Sequence, residues 1–221
     1  MSGPPGYVIA PAPQAGVPVE GQAEVFPVRR IYCVGRNYAA HAREMGHDDR
    51  EPPFFFAKPS DAVAPGGGDI PYPPDTADLH HEVELVVALG EDGEPWAFAC
   101  GLDMTRRDLQ AKAKEGRKPW DTAKDWEGSA VVGPLTPGVV ADDLPIRLTI
   151  NGTLRQEART SEMVWPLPAL RAHLGSLYRL GPGDLLMTGT PAGVGPVGPG
   201  DHIRGEVEGL AEVELRIGEG G

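Results

Sequence analysis

Glycine and proline recur so often along this chain, 30 and 24 times in 221 residues, that little room is left for long helices. Proline fixes φ and removes a backbone donor, and glycine weakens the interior of a helix or strand. The spacing therefore predicts many short elements joined by tight turns: a strand-rich α+β core, rolled or barrel-like, with a few helices around it. Residues 1–26 are dense in Pro, Gly and Ala and read as an N-terminal arm with one strand at GYVIA. Residues 27–221 show no internal repeat and no shift in composition, and read as a single domain.

Within that domain, RRIYCVG, PFFFAKP, VELVVALG and EPWAFACGLDM read as buried strands. Two short helices are expected early in the domain. One is NYAAHAREMG, with Asn37 as its N-cap and Gly46 as its stop; the other is TRRDLQAKAKEG, opened by a capping box of Thr105 and Asp108 and closed by Gly116. IRLTINGTLRQEA predicts a hairpin turning at Asn151-Gly152. VWPLPALRAHLGSLY predicts a helix that tolerates Pro168 in its first turn, and short strands follow to the end.

A formal net charge of −12 argues against nucleic acid or an anionic membrane as partner, because both require a basic footprint. No apolar run approaches the ~20 residues that span a bilayer. The N-terminus lacks the basic and apolar regions of a signal peptide, so a cytoplasmic protein is expected. Cys33 and Cys100, far apart in apolar surroundings, read as core residues of a reducing compartment.

Chemistry concentrates in a few places. Glu82 and Glu84 stand two apart on a strand and therefore share a face, where their like charges call for a cation. Asp103 ends the next apolar strand. Three carboxylates with oxygen-only character suit Mg²⁺ or Mn²⁺ better than Zn²⁺, although solvated strand edges and a capping aspartate fit the same spacing. His80 and His81 read as neighbours of such a site. His41 and Glu44 are three apart on one helical face, as a general base and its orienting carboxylate would be, and also as a surface pair would be. Arg107 and Gln110 continue from Asp103 along a helix, and Lys124 follows in a polar loop where a desolvated lysine could stabilise an oxyanion. LLMTGTPAGVGPV lacks the G-K-[ST] of a phosphate loop and reads as a tight turn beside a ligand, with Thr190 offering its hydroxyl or N–H.

Taken in order, VGRNYAAHAREMG, FFFAKPSDAV, LHHEVELVVALG, GLDMTRRDLQ, KPWDTAKDWEGSA, INGTLRQEA, PGDLLMTGTPAGVGPV and GDHIRGEVEGLA resemble the fumarylacetoacetate hydrolase family over about residues 29–217. The similarity is greatest to its fumarylpyruvate hydrolase and acylpyruvase members. It implies a mixed β-roll of the C-terminal-domain type, usually a homodimer. It also implies Mg²⁺ or Mn²⁺ on Glu82, Glu84 and Asp103, and catalysis by His41, Glu44, Gln110 and Lys124, the first two on a segment that acts as a lid in relatives. Arg107, Lys58 and Thr190 match positions near substrate. Asp125 and Glu127 depart from the family pattern, and negative charge there would alter substrate choice or the Lys124 pKa.

The activity implied is hydrolytic cleavage of a C–C bond in a 3-acylpyruvate, an anionic 2-oxo acid, with fumarylpyruvate favoured and a place in aromatic-compound catabolism. Oxaloacetate decarboxylation and isomerisation of a 2-hydroxyhepta-2,4-diene-1,7-dioate-type diacid are the alternatives on the same metal site. A fold kept for binding without catalysis is the alternative of another class.

Overall fold

The computed structural model describes residues 6–40, 52–138 and 142–220. Short strands dominate, as the glycine and proline spacing requires. An eight-stranded mixed sheet forms the centre, ordered Phe55–Lys58, Arg30–Val34, Asp184–Met187, Val83–Leu89, Pro95–Asp103, Ala130–Val132 and Val63–Pro65, with Thr136–Pro137 paired onto Pro95–Asp103. Two of its pairings are parallel, between Asp184–Met187 and Arg30–Val34 and between Ala130–Val132 and Val63–Pro65. A five-stranded sheet packs against it, ordered Thr153–Arg159, Pro145–Ile150, His202–Val207, Val213–Gly220 and Gly67–Tyr72. The result is the curled, strand-rich α+β fold that the residue pattern and the family resemblance both implied.

The alternation of side chains along each strand divides the interior into two cores. Val83, Leu85, Val87 and Leu89 point toward the five-stranded sheet and pack with Cys100, Leu102, Leu148, Ile203 and Leu215. Val86 and Ala88 point the other way, with Ala97, Ala99, Cys33 and Met187. Each buried Val or Leu contributes about 1.5–3 kcal/mol relative to exposure. The first core holds the sheets together. The second covers the back of the large sheet and is closed partly by Val17, Val19 and Phe26, so residues 16–27 contribute to the packed body. Both cysteines are free and buried, as expected.

Three α-helices lie wholly within the described residues: α1 (Arg107–Glu115), α2 (Asp121–Lys124) and α3 (Leu167–Leu177). Gly116 closes α1 and Pro168 sits in the first turn of α3, both as the sequence predicts. The Asn151-Gly152 hairpin is present, with φ of 50° and 76° at its two central residues.

Three local expectations differ. GYVIA forms no strand; Val8 and Ile9 are fully or largely exposed, and the first pairing joins Gly16–Pro18 to Val25–Pro27. Thr105 does not cap α1, because its hydroxyl donates to the Asp103 carbonyl while its backbone pairs with His80. The helix expected over NYAAHAREMG, with its stop at Gly46, lies mostly outside the described residues; the Asn37 side chain binds the Trp165 backbone and the Thr188 carbonyl. Lys124 belongs to the short helix α2, not to a loop. No described helix is long and apolar enough to cross a membrane.

Candidate active site

The face that carries the second core also carries the site, because it obeys the same period of two. Ala97, Ala99, Gly101 and Asp103 line one face of their strand, and Glu84, Val86 and Ala88 line the same side of the neighbouring one. The apolar members bury the sheet, and the acidic ones stand where that covering ends. The Asp103 N–H donates to the Glu82 carbonyl at 2.9 Å, which draws the two strand ends together. Glu82 itself falls between the strands Leu79–His81 and Val83–Leu89, at a break that frees its side chain from strict alternation.

Glu82, Glu84 and Asp103 offer one carboxylate oxygen each within 4.8 Å of one another, and all three residues are buried. Lys58 Nζ lies 2.8 Å from Asp103 Oδ1 and also donates to the Ser129 carbonyl. Lys124 Nζ bridges Glu82 and Asp103, 2.8 Å from each. The Arg107 guanidinium binds Glu82 with one arm and donates to Gln110 Oε1 at 2.6 Å with another.

The electrostatics follow from burial. Burial, Asp103 and Glu82 push the Glu84 carboxyl well above the usual carboxylate range, against Lys124 and the Gly189 N–H. Burial pulls the Lys124 ammonium down, but Asp103 and Glu82 more than reverse this and hold it above the ordinary lysine value. Three oxygen donors this close, one of them short of compensating charge, fit a hard divalent cation.

Gly189 donates its N–H to Glu84 Oε2 at 2.7 Å. Its φ of +95° and an added Cβ only 2.7 Å from the Asn37 Cβ explain why this turn takes glycine. This is the tight turn foreseen in LLMTGTPAGVGPV, although the donor to the site is the N–H of residue 189. Thr190, one residue on, is buried and accepts a hydrogen bond from Gln156 Nε2 at 2.8 Å.

The candidates read from the residues, Glu82, Glu84, Asp103, Arg107, Gln110 and Lys124, thus meet in one place with Lys58, which the family resemblance alone supplied. Lys58 serves the carboxylates directly. His41 and Glu44 lie outside the described residues. His80 flanks the site, accepting from Arg107 Nε at 3.3 Å. His81 is buried and bonded to Gln156 Oε1 at 2.9 Å; burial is the main cause that lowers it to about 4 and keeps it neutral. Asp125 and Glu127, which follow Lys124, are exposed while Lys124 is buried, so their side chains turn outward.

Two residues escaped the sequence reading. Gln156 gives both amide hydrogens to Thr190 and Pro191 and accepts from Val83 and His81. Nothing in TLRQEAR distinguishes it from its solvent-facing neighbours. Lys114 shares the cleft beside Glu82 with Arg107 and Gln110; extending the 107–110 spacing by four would have found it.

A profile of the fumarylacetoacetate (FAA) hydrolase C-terminal domain matches residues 30–218. The chain belongs to this family. Among members of the fumarylacetoacetate hydrolase family, a fumarylpyruvate hydrolase of Ralstonia sp is 41% identical over 180 residues, which is 76% of this chain and 94% of that protein. A mitochondrial oxaloacetate tautomerase of Mus musculus is 39% identical over 202 residues, 86% of this chain and 91% of its own length. The crystal structure of fumarylpyruvate hydrolase from Pseudomonas aeruginosa, in complex with Mn²⁺ and pyruvate, superposes with a TM-score of 0.94 at 41% identity, covering 97% of this chain and all of that one.

Proposed function

We propose that this chain is a metal-dependent hydrolase that cleaves a C–C bond of a 3-acylpyruvate, fumarylpyruvate being the favoured substrate. One observation carries the reading: three buried carboxylates within 4.8 Å of one another, with lysine ammoniums on two of them. Such a cluster is expensive to keep unless a divalent cation completes it. The Pseudomonas relative, with Mn²⁺ and pyruvate bound, supports both the cation and the 2-oxo acid.

Glu82, Glu84 and Asp103 would hold Mg²⁺ or Mn²⁺, which supplies Lewis-acid charge for a 2-oxo acid when bound. Lys124 and Gln110 stand beside it as donors for the oxyanion that forms when water adds to the distal carbonyl. His41, oriented by Glu44, takes the proton from that water. The bond between the former carbonyl carbon and the pyruvate methylene then breaks, its electron pair stays on the pyruvate fragment as an enolate, and protonation releases pyruvate and a carboxylic acid. Arg107 and Thr190 contact substrate. The working unit is residues 27–221 with residues 1–26 as an arm whose 16–26 stretch packs onto it, in a cytoplasmic homodimer that serves aromatic-compound catabolism.

The 39% identity to a mitochondrial oxaloacetate tautomerase favours a second reading, proton shuffling on oxaloacetate at the same site. A panel of acylpyruvates and oxaloacetate, followed by loss of the β-diketone ultraviolet absorbance and by pyruvate release, separates the two. The hydrolase reading expects Mg²⁺- or Mn²⁺-dependent pyruvate release from an acylpyruvate, abolished by a chelator and by His41→Ala. Oxaloacetate turnover without acylpyruvate cleavage would replace it with the second reading.

A further inference from the structure

Among the described residues, the cleft beside Glu82 holds a lysine that no carboxylate engages. Lys58, Lys124 and Arg107 are each committed to an ion pair with Glu82 or Asp103. Lys114, on the lining of the same cleft, is not. Among the described residues no carboxylate lies within ion-pair distance of its ammonium. The group rests instead 5.0 Å from the centroid of the Trp120 ring. That ring is itself fixed edge-on against Phe54, with centroids 5.0 Å apart. Arg36 lines the cleft as well. A half-buried ammonium gathered with other cations, in a protein of net charge −12, creates a local positive field that an anion relieves. A divalent ion on the three carboxylates would enlarge the surplus.

Position narrows what the anion is. Arg107, Gln110 and Lys114 follow one another on α1 at spacings of three and four, so they share a face. At about 1.5 Å of rise per residue, Lys114 stands about 10 Å along the helix axis from Arg107, whose guanidinium lies on Glu82. A 2-oxo acid held at the carboxylate end would extend along this face toward Lys114. The lysine sits in the last turn of α1, where unpaired carbonyls favour a cation and disfavour a multiply charged phosphate. A single negative charge suits it better.

We propose that Lys114, braced on Trp120, is the anchor for a second carboxylate carried on the substrate's acyl arm, and so selects diacids over acylpyruvates with a plain alkyl arm. The inference rests on the acylpyruvate reading for its substrate but can be tested apart from it. Calorimetric titration of the Mn²⁺-loaded protein would compare 2-oxopimelate with 2-oxoheptanoate, which lacks only the second carboxylate. The wild type is expected to bind the diacid about tenfold more tightly, as a charge-assisted hydrogen bond supplies. Lys114→Met should reduce that preference to about twofold or less, and Lys114→Arg should keep most of it, with thermal melts confirming that both variants fold. Equal wild-type affinities, or a preference that survives in Lys114→Met, would overturn the inference. In turnover, the ratio of kcat/KM for fumarylpyruvate over an alkyl acylpyruvate should fall about tenfold in Lys114→Met, chiefly through KM. If the wild type hydrolyses neither, the acylpyruvate reading fails while the binding preference still decides the role of Lys114.

Discussion

Asp184 and Glu84 are both buried carboxylates on the same central sheet, on neighbouring strands, yet they live in opposite electrostatic worlds. Asp184 pairs with Leu89 at one end of the sheet. Its oxygens accept from Arg29 Nε at 2.8 Å and Nη2 at 2.6 Å, and from Arg30 Nε at 3.2 Å and Nη2 at 3.1 Å. Burial raises its pKa, but those hydrogen bonds and charges outweigh it and hold the group below the ordinary aspartate value. Glu84, near the other end, faces two like charges and is pushed up. The chain supplies Asp184 with its own cations. It leaves Glu84 short of them, which is how a site prepared for an arriving ion differs from a structural ion pair.

The largest effect that could break this contrast comes from Glu84→Gln. Loss of one of three oxygen charges should lower acylpyruvate hydrolysis by at least about 10³-fold, or ~4 kcal/mol of activation free energy. It should also erase the rise in Tm that Mn²⁺ gives the wild type. Asp184→Asn should do neither at a temperature where it is folded. Should Asp184→Asn abolish the Mn²⁺ response and Glu84→Gln keep it, the division between structural and functional carboxylates would be wrong.

Asp184→Asn should act on stability instead. Two arginines lose their acceptor, and unfolding free energy should drop by about 2–3 kcal/mol near neutral pH. The sign of the pH dependence follows from the lowered pKa. An aspartate that ionises more readily when folded stabilises above its unfolded value of about 3.9 and loses that contribution as pH falls through its folded value. Urea titrations should therefore show a wild-type advantage that is constant from pH 5 to 7 and closes in acid below about pH 4. A gap that persists at pH 2.5 would show that packing, not charge, makes Asp184 matter.

What could be read in the residues alone divides along the same line. Glu82 and Glu84 were legible because a period of two suggested one face for both, although Glu82 reaches the site from a break between strands, and Asp103 because it ends the neighbouring apolar strand. Arg107 and Gln110 were legible because helical spacing is equally strict. Asp184, by contrast, stands in PGDLLM as an ordinary turn aspartate, and nothing local links it to Arg29, 155 residues earlier. Gln156 was lost for the same reason: its four bonds reach three other segments. Thr105 misled because a hydroxyl before a helix has two possible partners. The Asp103 carbonyl won it, since the strand continues through Thr105 in pairing with His80. Lys124 read as loop because its helix is one turn long, too short to leave a periodic signature.

The smallest effect worth measuring probes how the chain places the one hydrogen-bond donor that the described residues give Glu84. That donor is the Gly189 N–H, and Thr190 beside it is held by Gln156, itself held by Val83 and His81. Because the Thr190 oxygen accepts from Gln156, its own hydrogen is left for another acceptor. Thr190→Val keeps the shape but strands one amide hydrogen of Gln156, at a cost of about 1–2 kcal/mol. Thermal melts should show a fall in Tm of roughly 2–8 °C, and Thr190→Ser should restore most of it. If the neutral network positions the turn, Mn²⁺ affinity by calorimetry should also weaken about threefold in Thr190→Val and recover in Thr190→Ser. An unchanged affinity beside a lowered Tm would separate the two regions, leaving Glu84 dependent on its charged neighbours alone.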